Sequence, residues 1–312
     1  MPAVLNTNAA SLYASKNLQS AQSKMATSVE RLSSGLRVNR AKDDAAGVGI
    51  SNSLTTQINS ANQGIRNLND GISMVQTAEG AIAAAVDMAQ RISALATQGS
   101  NGTLGATERN AIRSEMRQLL VAIDAIGTRT KFSGNSLLAN GLATGSAFTL
   151  QVSNNSTDTI TLAATAFERI GAGTTNTDTP QTQAGSILSN TGFQTTGALS
   201  GRAAAVVNQV NAISGDETQA NQLLVIGVVK TYVDALTTQR SLLGAYQNQI
   251  EFTVSNVTEL SANLAAAKSN VVDTDYATET AALTKGQILQ QAATAMLAQA
   301  NQMPNVILSL LK

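Results

Sequence analysis

Residues 229–271 read, in blocks of seven, VKTYVDA LTTQRSL LGAYQNQ IEFTVSN VTELSAN LAAAKSN V. Every block opens on an apolar residue: Val229, Leu236, Leu243, Ile250, Val257, Leu264 and Val271. A period of seven keeps one apolar stripe on one side of an α-helix. Held this long, it marks a helix that packs lengthwise against others in coiled-coil style.

The same spacing recurs on either side. Near the start, Leu18, Met25, Val29, Leu32 and Leu36 form a stripe, with Leu5 and Leu12 upstream. A second runs through Ile58, Ala61, Ile65, Leu68, Ile72, Val75, Ile82, Val86 and Ala89, with Glu79 as its polar interruption. Ile112, Met116, Leu119, Ile123 and Ile126 make a third. Leu289, Ala293, Met296, Ala300, Met303, Ile307 and Leu310 then step by fours and threes toward the end. Pro304 sits inside that last stripe and predicts a kink, or a helix that ends and restarts there. Ser33-Ser34-Gly35 and Gly47-Val48-Gly49 punctuate the first join, and Gly99-Ser-Asn-Gly102 with Gly105 the second. Thr107 followed by Glu108 reads as a helix start.

The middle of the chain has a different period. Phe148, Leu150 and Val152 alternate with polar residues, as do Ile160 and Leu162 across Ser153-Asn-Asn-Ser156, which predicts a β-hairpin near 147–162. Residues 171–197 are rich in Thr, Asn, Gln and Gly, with Pro180, and read as a surface excursion. A short helix follows around 202–213. The fold class is therefore mainly α: long coiled-coil-like helices from both chain ends packed together, plus a small β-hairpin region. From spacing alone, packing within one domain and packing between copies are equal readings.

Composition excludes several chemistries. The 312 residues carry 20 Lys+Arg against 20 Asp+Glu, a zero balance that argues against a nucleic-acid partner or a polybasic membrane face. His and Cys are absent, which removes the usual nucleophilic triads, thiol redox chemistry, most transition-metal sites and disulfides. No enzyme and no cofactor is expected. With 3 % aromatic residues the core must be built from Leu, Ile, Val and Ala. No apolar run reaches 18 residues, so no membrane insertion is expected, and the first residues lack the pattern of a cleaved secretory signal.

The motifs at both ends then carry a family. Val29-Glu-Arg-Leu-Ser-Ser-Gly-Leu-Arg-Val-Asn39, Ala41-Lys-Asp-Asp-Ala-Ala-Gly47, Asp70-Gly-Ile-Ser73 and Gln76-Thr-Ala-Glu-Gly80 resemble the N-terminal region of bacterial flagellin. Gln90-Arg-Ile-Ser-Ala-Leu-Ala-Thr-Gln98 with Asn101-Gly-Thr103 is similar to its next block. Leu243-Gly-Ala-Tyr-Gln-Asn248, Asp275-Tyr-Ala-Thr-Glu279, Ile288-Leu-Gln-Gln-Ala292 and Leu297-Ala-Gln-Ala-Asn-Gln302 are similar to its C-terminal region. The resemblance covers roughly residues 1–170 and 225–312.

The resemblance implies a subunit that self-assembles into the helical flagellar filament and serves motility. It implies an inner layer from residues 1–42 with 273–312, a second α-rich layer from 43–170 with 225–272, and a short variable outward-facing segment, 171–224. Inner-layer packing between copies would fall to Leu18, Met25, Val29, Leu32, Leu36, Leu289, Met296, Met303 and Leu310. Second-layer packing would fall to Ile58, Ile65, Ile72, Leu243, Ile250, Val257 and Leu264. In an isolated copy the terminal stripes would be exposed and would order on assembly. Implied partners are other copies of the chain, a flagellar export chaperone, the filament cap and the hook–filament junction proteins. The implied location is extracellular, reached through the flagellar export apparatus without a cleaved signal peptide. Gln90, Arg91, Leu95, Gln98 and Glu115 match the flagellin surface sensed by the vertebrate Toll-like receptor. Ser93, Ala94 and Gln249 depart from the charged residues that enteric flagellins carry there. A surface adhesin or polysaccharide-binding homologue, and a hook–filament junction protein, are the alternatives.

Four smaller features have plain readings. Asp43 and Asp44 beside Arg40 and Lys42 read as a solvated, charge-paired turn rather than a metal or acid–base pair. Asp273-x-Asp275 opens like a calcium loop, but Thr278 and Thr284 stand where Gly and Glu are needed. Glu79 is either a buried charge with an Arg partner or a boundary residue. Thr174, Thr175, Thr177 and Thr179 are either a bare polar loop or O-glycosylated.

Overall fold

The computed structural model describes residues 8–138, 148–171, 199–212 and 219–310. In chain order the elements are α1 (Ala9–Ser34), α2 (Ala45–Gly99), α3 (Ala106–Arg129), β1 (Lys131–Phe132), β2 (Asn135–Ser136), β3 (Phe148–Gln151) and β4 (Thr159–Leu162). A 3-10 turn (Ala164–Phe167), α4 (Leu199–Ala212), α5 (Gln219–Val272) and α6 (Tyr276–Leu310) complete it. The threonines at 174–179 lie outside the described residues. The chain is mainly α, with long terminal helices packed together and a small antiparallel β region. Packing divides it into two compact units, Met1–Asn59 with Leu260–Lys312 and Ser60–Glu259. These cuts fall inside α2 and α5, whereas the sequence boundaries at 42/43 and 272/273 fall at helix breaks.

In the unit Ser60–Glu259 the seven-residue period becomes a core. Val229, Leu236, Leu243 and Ile250 are fully buried on α5, and Val257 nearly so. On α2 two lines run in parallel. Ala61, Leu68, Val75, Ile82, Ala89 and Ala96 form one, and Gly64, Gly71, Ala78, Ala85, Ile92 and Gly99 the other, all of them buried. On α3 the buried face is Ile112, Met116, Leu120 and Ile123, with Leu119 and Ile126 half-buried at its edge.

The second line on α2 is glycine at 64 and 71 because the β-hairpin lies on it there. Strands β3 and β4 pair antiparallel, Phe148 opposite Leu162 and Leu150 opposite Ile160. Val152, Ile160 and Leu162 face the core. A Cβ at position 64 would stand 1.8 Å from the Val152 carbonyl oxygen, and one at 71 would stand 2.3 Å from Leu150 Cδ1. Only glycine allows this approach of strand to helix. Asn67 Nδ2 adds a 2.9 Å hydrogen bond to the Gln151 carbonyl.

Two buried polar side chains of this core donate to backbone carbonyls. Gln239 Nε2 donates to the Ala166 and Glu168 carbonyls at 3.1 and 3.2 Å. The Tyr232 hydroxyl donates to the Ile170 carbonyl, and burial, with the Asp124 charge second, pushes its pKa well up. Helix α4 corrects the expectation that 171–224 wholly faces outward: its Ala203, Val206 and Val210 are core residues. Strands β1 and β2, joined through Ser133 and Gly134 at φ 50° and 84°, and the 3-10 turn were not foreseen in the sequence.

In the unit Met1–Asn59 with Leu260–Lys312, α1 and α6 pack along their length. Asn8 caps α1 by accepting from the Ser11 amide, and Gly35 ends it in the left-handed region at φ 71°. The Thr274 amide donates to the Gly35 carbonyl at 2.9 Å, and Leu36 bridges antiparallel to Asp273. Asp44 Oδ1 accepts from the Gly47 amide at 2.9 Å and Asp43 Oδ2 from the Arg40 amide at 2.9 Å, so both carboxylates hold the turn into α2. Helix α3 starts at Ala106 behind Gly105 rather than at Thr107. Helix α6 continues through Pro304 to Leu310, so it does not end and restart there.

Candidate interaction surface

The α1–α6 pair is antiparallel, with Asn8 Nδ2 donating to the Ala300 carbonyl at 2.8 Å at one end. At the other end Arg31 faces Glu279 at 3.6 Å. Its interior is made of small residues at sevens. Ala14, Ala21 and Ser28 are the buried positions of α1, and Gly286, Ala293 and Ala300, with Glu279 at the end of the series, those of α6. A Cβ on Gly286 would touch Met25 Cβ and Cα at 3.5 and 3.7 Å, so the two backbones nearly meet. Small seam residues bring helices close and leave long neighbours no room between them.

The large apolar residues are consequently displaced to the outside. Met296 is 65 % exposed, Val29 51 % and Leu289 44 %, and Leu12, Tyr13 and Ile288 join them. Leu18, Met25, Leu32 and Leu36 are half-buried along the margin. The side chains of Met303 and Leu310 lie outside the described residues. A groove of about 550 Å³ follows the seam, with Tyr13, Leu289 and Met296 over a floor of Ala14, Ala21 and Ala293. At about 1.5–3 kcal/mol per fully buried large side chain, this face has several kcal/mol available to a partner that covers it. The sequence reading found the large residues and, on α6, Ala293 and Ala300, and it missed Ala14, Ala21, Ser28 and Gly286. The signal was present, since Ala14, Ala21 and Ser28 and their partners also repeat by sevens.

The second-layer residues divide. Leu243, Ile250 and Val257 are core, and Ile65 and Ile72 are half-buried against it. Ile58 and Leu264 are half-buried and belong to the unit that holds the termini. Of the residues matched to a receptor surface, Gln90, Arg91, Gln98 and Glu115 are exposed, and Arg91 pairs with Glu115 at 2.8 Å. Leu95 is corrected: it is 2 % exposed and packs in the core, on the inward face of α2. Glu79 is a boundary residue paired with Arg240 at 3.2 Å. Asp275 caps α6. Its Oδ2 accepts from the Thr278 hydroxyl and its Oδ1 from the Ala277 amide, and these bonds, the hydroxyl first, hold its carboxyl below the usual range. Among the described residues no group of three or more acidic, His or Cys side chains could hold a metal, and no helix is long and apolar enough to cross a membrane.

Comparison with known proteins identifies the family. The bacterial flagellin N-terminal helical region matches residues 5–143, and the bacterial flagellin C-terminal helical region matches 226–311. The flagellar filament 33 kDa core protein of Treponema phagedenis is 36 % identical over 309 residues, covering 99 % of this chain and 100 % of that protein. Flagellin B of Vibrio cholerae serotype O1 is 33 % identical, covering 98 % of this chain and 99 % of that protein. Among solved structures, Bacillus cereus flagellin is similar over 65 % of this chain and 94 % of that one, at 27 % identity and a TM-score of 0.42.

Proposed function

The chain belongs to the bacterial flagellin family and is a structural subunit of the flagellar filament, and we propose that the apolar face on its paired terminal helices is the surface through which copies join. The observation that supports this is the inversion within the α1–α6 pair: small residues inside, Leu289, Met296, Tyr13 and Val29 outside. A helix pair that exposes its largest apolar residues is incomplete as a single chain. A head-to-tail contact that does not close lets copies add without limit, and the product is a helical filament. Its place is the extracellular flagellum.

The layers follow on this reading. Residues 1–42 with 273–312 form the inner layer, 43–170 with 225–272 the second, and the remainder of 171–224 the variable outward segment. The same exposed face needs cover before assembly, which supports an export chaperone as an earlier partner. Filament cap and hook–filament junction proteins meet the same terminal helices at the two filament ends, and export runs through the flagellar export apparatus. For the vertebrate receptor, the accessible part of the matched set is Gln90, Arg91, Gln98 and Glu115, with Leu95 acting only by holding α2 in place. A reporter-cell assay with pure monomer tests that part, and no response ends it.

The principal test is seeded growth. Full-length protein added to filament fragments elongates them, seen by electron microscopy. Removing about forty residues from either end, as the seam register α1 to α6 requires, leaves a soluble monomer that does not elongate seeds. Normal filaments from such a truncate would overturn the assignment.

A further inference from the structure

The loop between α2 and α3 holds a chemical feature that lies outside the apolar face proposed for assembly. Asn101 is followed by Gly102, and both are exposed. The Asn101 carbonyl oxygen is engaged, accepting from the Leu104 amide at 3.3 Å and from Arg109 Nη2 at 3.3 Å. Its side-chain Oδ1 accepts from the Thr103 amide at 3.2 Å. The Gly102 amide, by contrast, donates to nothing among the described residues, and nothing lies within 4 Å of where a Gly102 Cβ would be.

We propose that Asn101–Gly102 is a self-modifying site, at which the Asn101 side chain is converted to aspartate and isoaspartate by the chain's own backbone. The unengaged Gly102 nitrogen attacks Asn101 Cγ. An N–Cγ bond forms, the Cγ–Nδ2 bond breaks, and the side-chain nitrogen leaves as ammonia with the proton lost from the Gly102 amide. Water then adds to either carbonyl of the resulting five-membered imide and gives the two acids. No oxidant or co-reactant besides water enters.

Each part of the loop favours this step. Glycine places no side chain over the attacking nitrogen. Negative charge develops on Oδ1 as the tetrahedral intermediate forms, and the Thr103 amide already points at that oxygen. Hydrogen bonds from Leu104 and Arg109 to the Asn101 carbonyl polarise the peptide that contains the Gly102 nitrogen and make its proton easier to lose. The loop is an exposed tip, where such chemistry meets water freely. The consequence is electrostatic as well as covalent. The chain has a net charge of zero, so each converted copy becomes anionic beside Arg109. In an assembly of many copies the charge accumulates with age, without any replacement of subunits.

The test uses the full-length protein held at neutral pH and digested at arginine. The peptide 92–109 holds Asn101 as its sole asparagine. Its expected change is the mass gain of exchanging NH for O, with splitting into aspartyl and isoaspartyl forms. The isoaspartyl form should accept a methyl group from protein isoaspartyl methyltransferase. Gly102→Ala should slow the conversion several-fold without disturbing the fold, because Gly102 is not left-handed and has open space around it. The proposal is overturned if the folded chain's peptide keeps its coded mass while a synthetic copy converts, or if Gly102→Ala converts as fast as the parent.

Discussion

The two units use one sequence period in opposite ways. Between Ser60 and Glu259 the sevens place large residues inward: Leu236, Leu243 and Ile250 are fully buried, and the small line Gly64–Gly71 serves only to seat a hairpin. In the terminal unit the sevens place Ala14, Ala21, Gly286 and Ala293 inward, and Leu289 and Met296 remain on the surface. The first arrangement covers its own stripe, although Phe252 and Val121 stay on the surface of that unit. The second brings two backbones together and leaves its apolar material unused. A heptad repeat therefore fixes that helices pack lengthwise, but residue size decides whether the packing finishes within the chain.

The sharpest way to break this contrast is to charge the open face. The double change Leu289→Asp with Met296→Asp should abolish seeded elongation and leave the far-ultraviolet spectrum and unfolding midpoint of the monomer nearly unchanged. A large fall in monomer stability would mean that these residues are already covered within the chain. The counterpart lies in the closed core. Leu243→Ala should lower stability by about 2–5 kcal/mol, read from urea unfolding of the full chain, whereas Met296→Ala should move it by less than ~0.5 kcal/mol.

A third change probes the small line on α2. Gly64→Ala puts a methyl against the Val152 carbonyl, a backbone atom that cannot swing aside. The expected loss is about 1–3 kcal/mol, with the hairpin amides losing hydrogen-exchange protection first. Unchanged protection at Val152 would show that the hairpin shifts as a body and that the glycine is not required.

Much of this is legible in the amino-acid sequence alone. The stripes gave α1, α2, α3, α5 and α6, because a repeat sustained over many turns leaves little ambiguity of period. Alternation around Phe148 and Ile160 gave the hairpin. The two-residue strands at 131–136 and the 3-10 turn carry too few residues for any periodicity. Gly64, Gly71 and Gly286 were invisible for a different reason. A pattern search scores apolar bulk, and these positions matter through its absence. Leu95 went to a surface by another route, the family resemblance: Arg91 and Gln98 of the matched set face solvent, but Leu95 falls on the inward side of the helix, between Ile92 and Ala96. For the interaction surface, the large residues and Ala293 and Ala300 of the seam were readable, and the α1 side of the seam with Gly286 was not.

Smaller effects belong to the charged groups. Glu79 and Arg240 form a half-exposed pair at 3.2 Å at the edge of the α2 and α5 stripes. Glu79→Gln should cost less than about 1 kcal/mol, and the cost should vanish in high salt. A larger, salt-independent loss would make Glu79 a buried structural charge and move the edge of the core outward.

The faintest expected signal is the pH response of the α6 cap. Asp275 accepts from the Thr278 hydroxyl and from the Ala277 and Thr278 amides, all of which favour its charged form, so its folded pKa lies below the unfolded value. A depressed carboxyl contributes stability that is present above the unfolded pKa and lost as pH falls through the folded one. Above the ordinary carboxylate range the cap should hold, and in more acidic solution the first turn of α6 should fray while the rest of the helix persists. Amide exchange at Ala277 and Thr278, followed across that range, reads it directly. Asp275→Asn keeps an accepting oxygen and removes the charge, so it should flatten the pH dependence without opening the turn at neutral pH. If the variant frays equally at every pH, the cap depends on the charge itself, and the terminal helix pair is more electrostatic in origin than its small-residue seam implies.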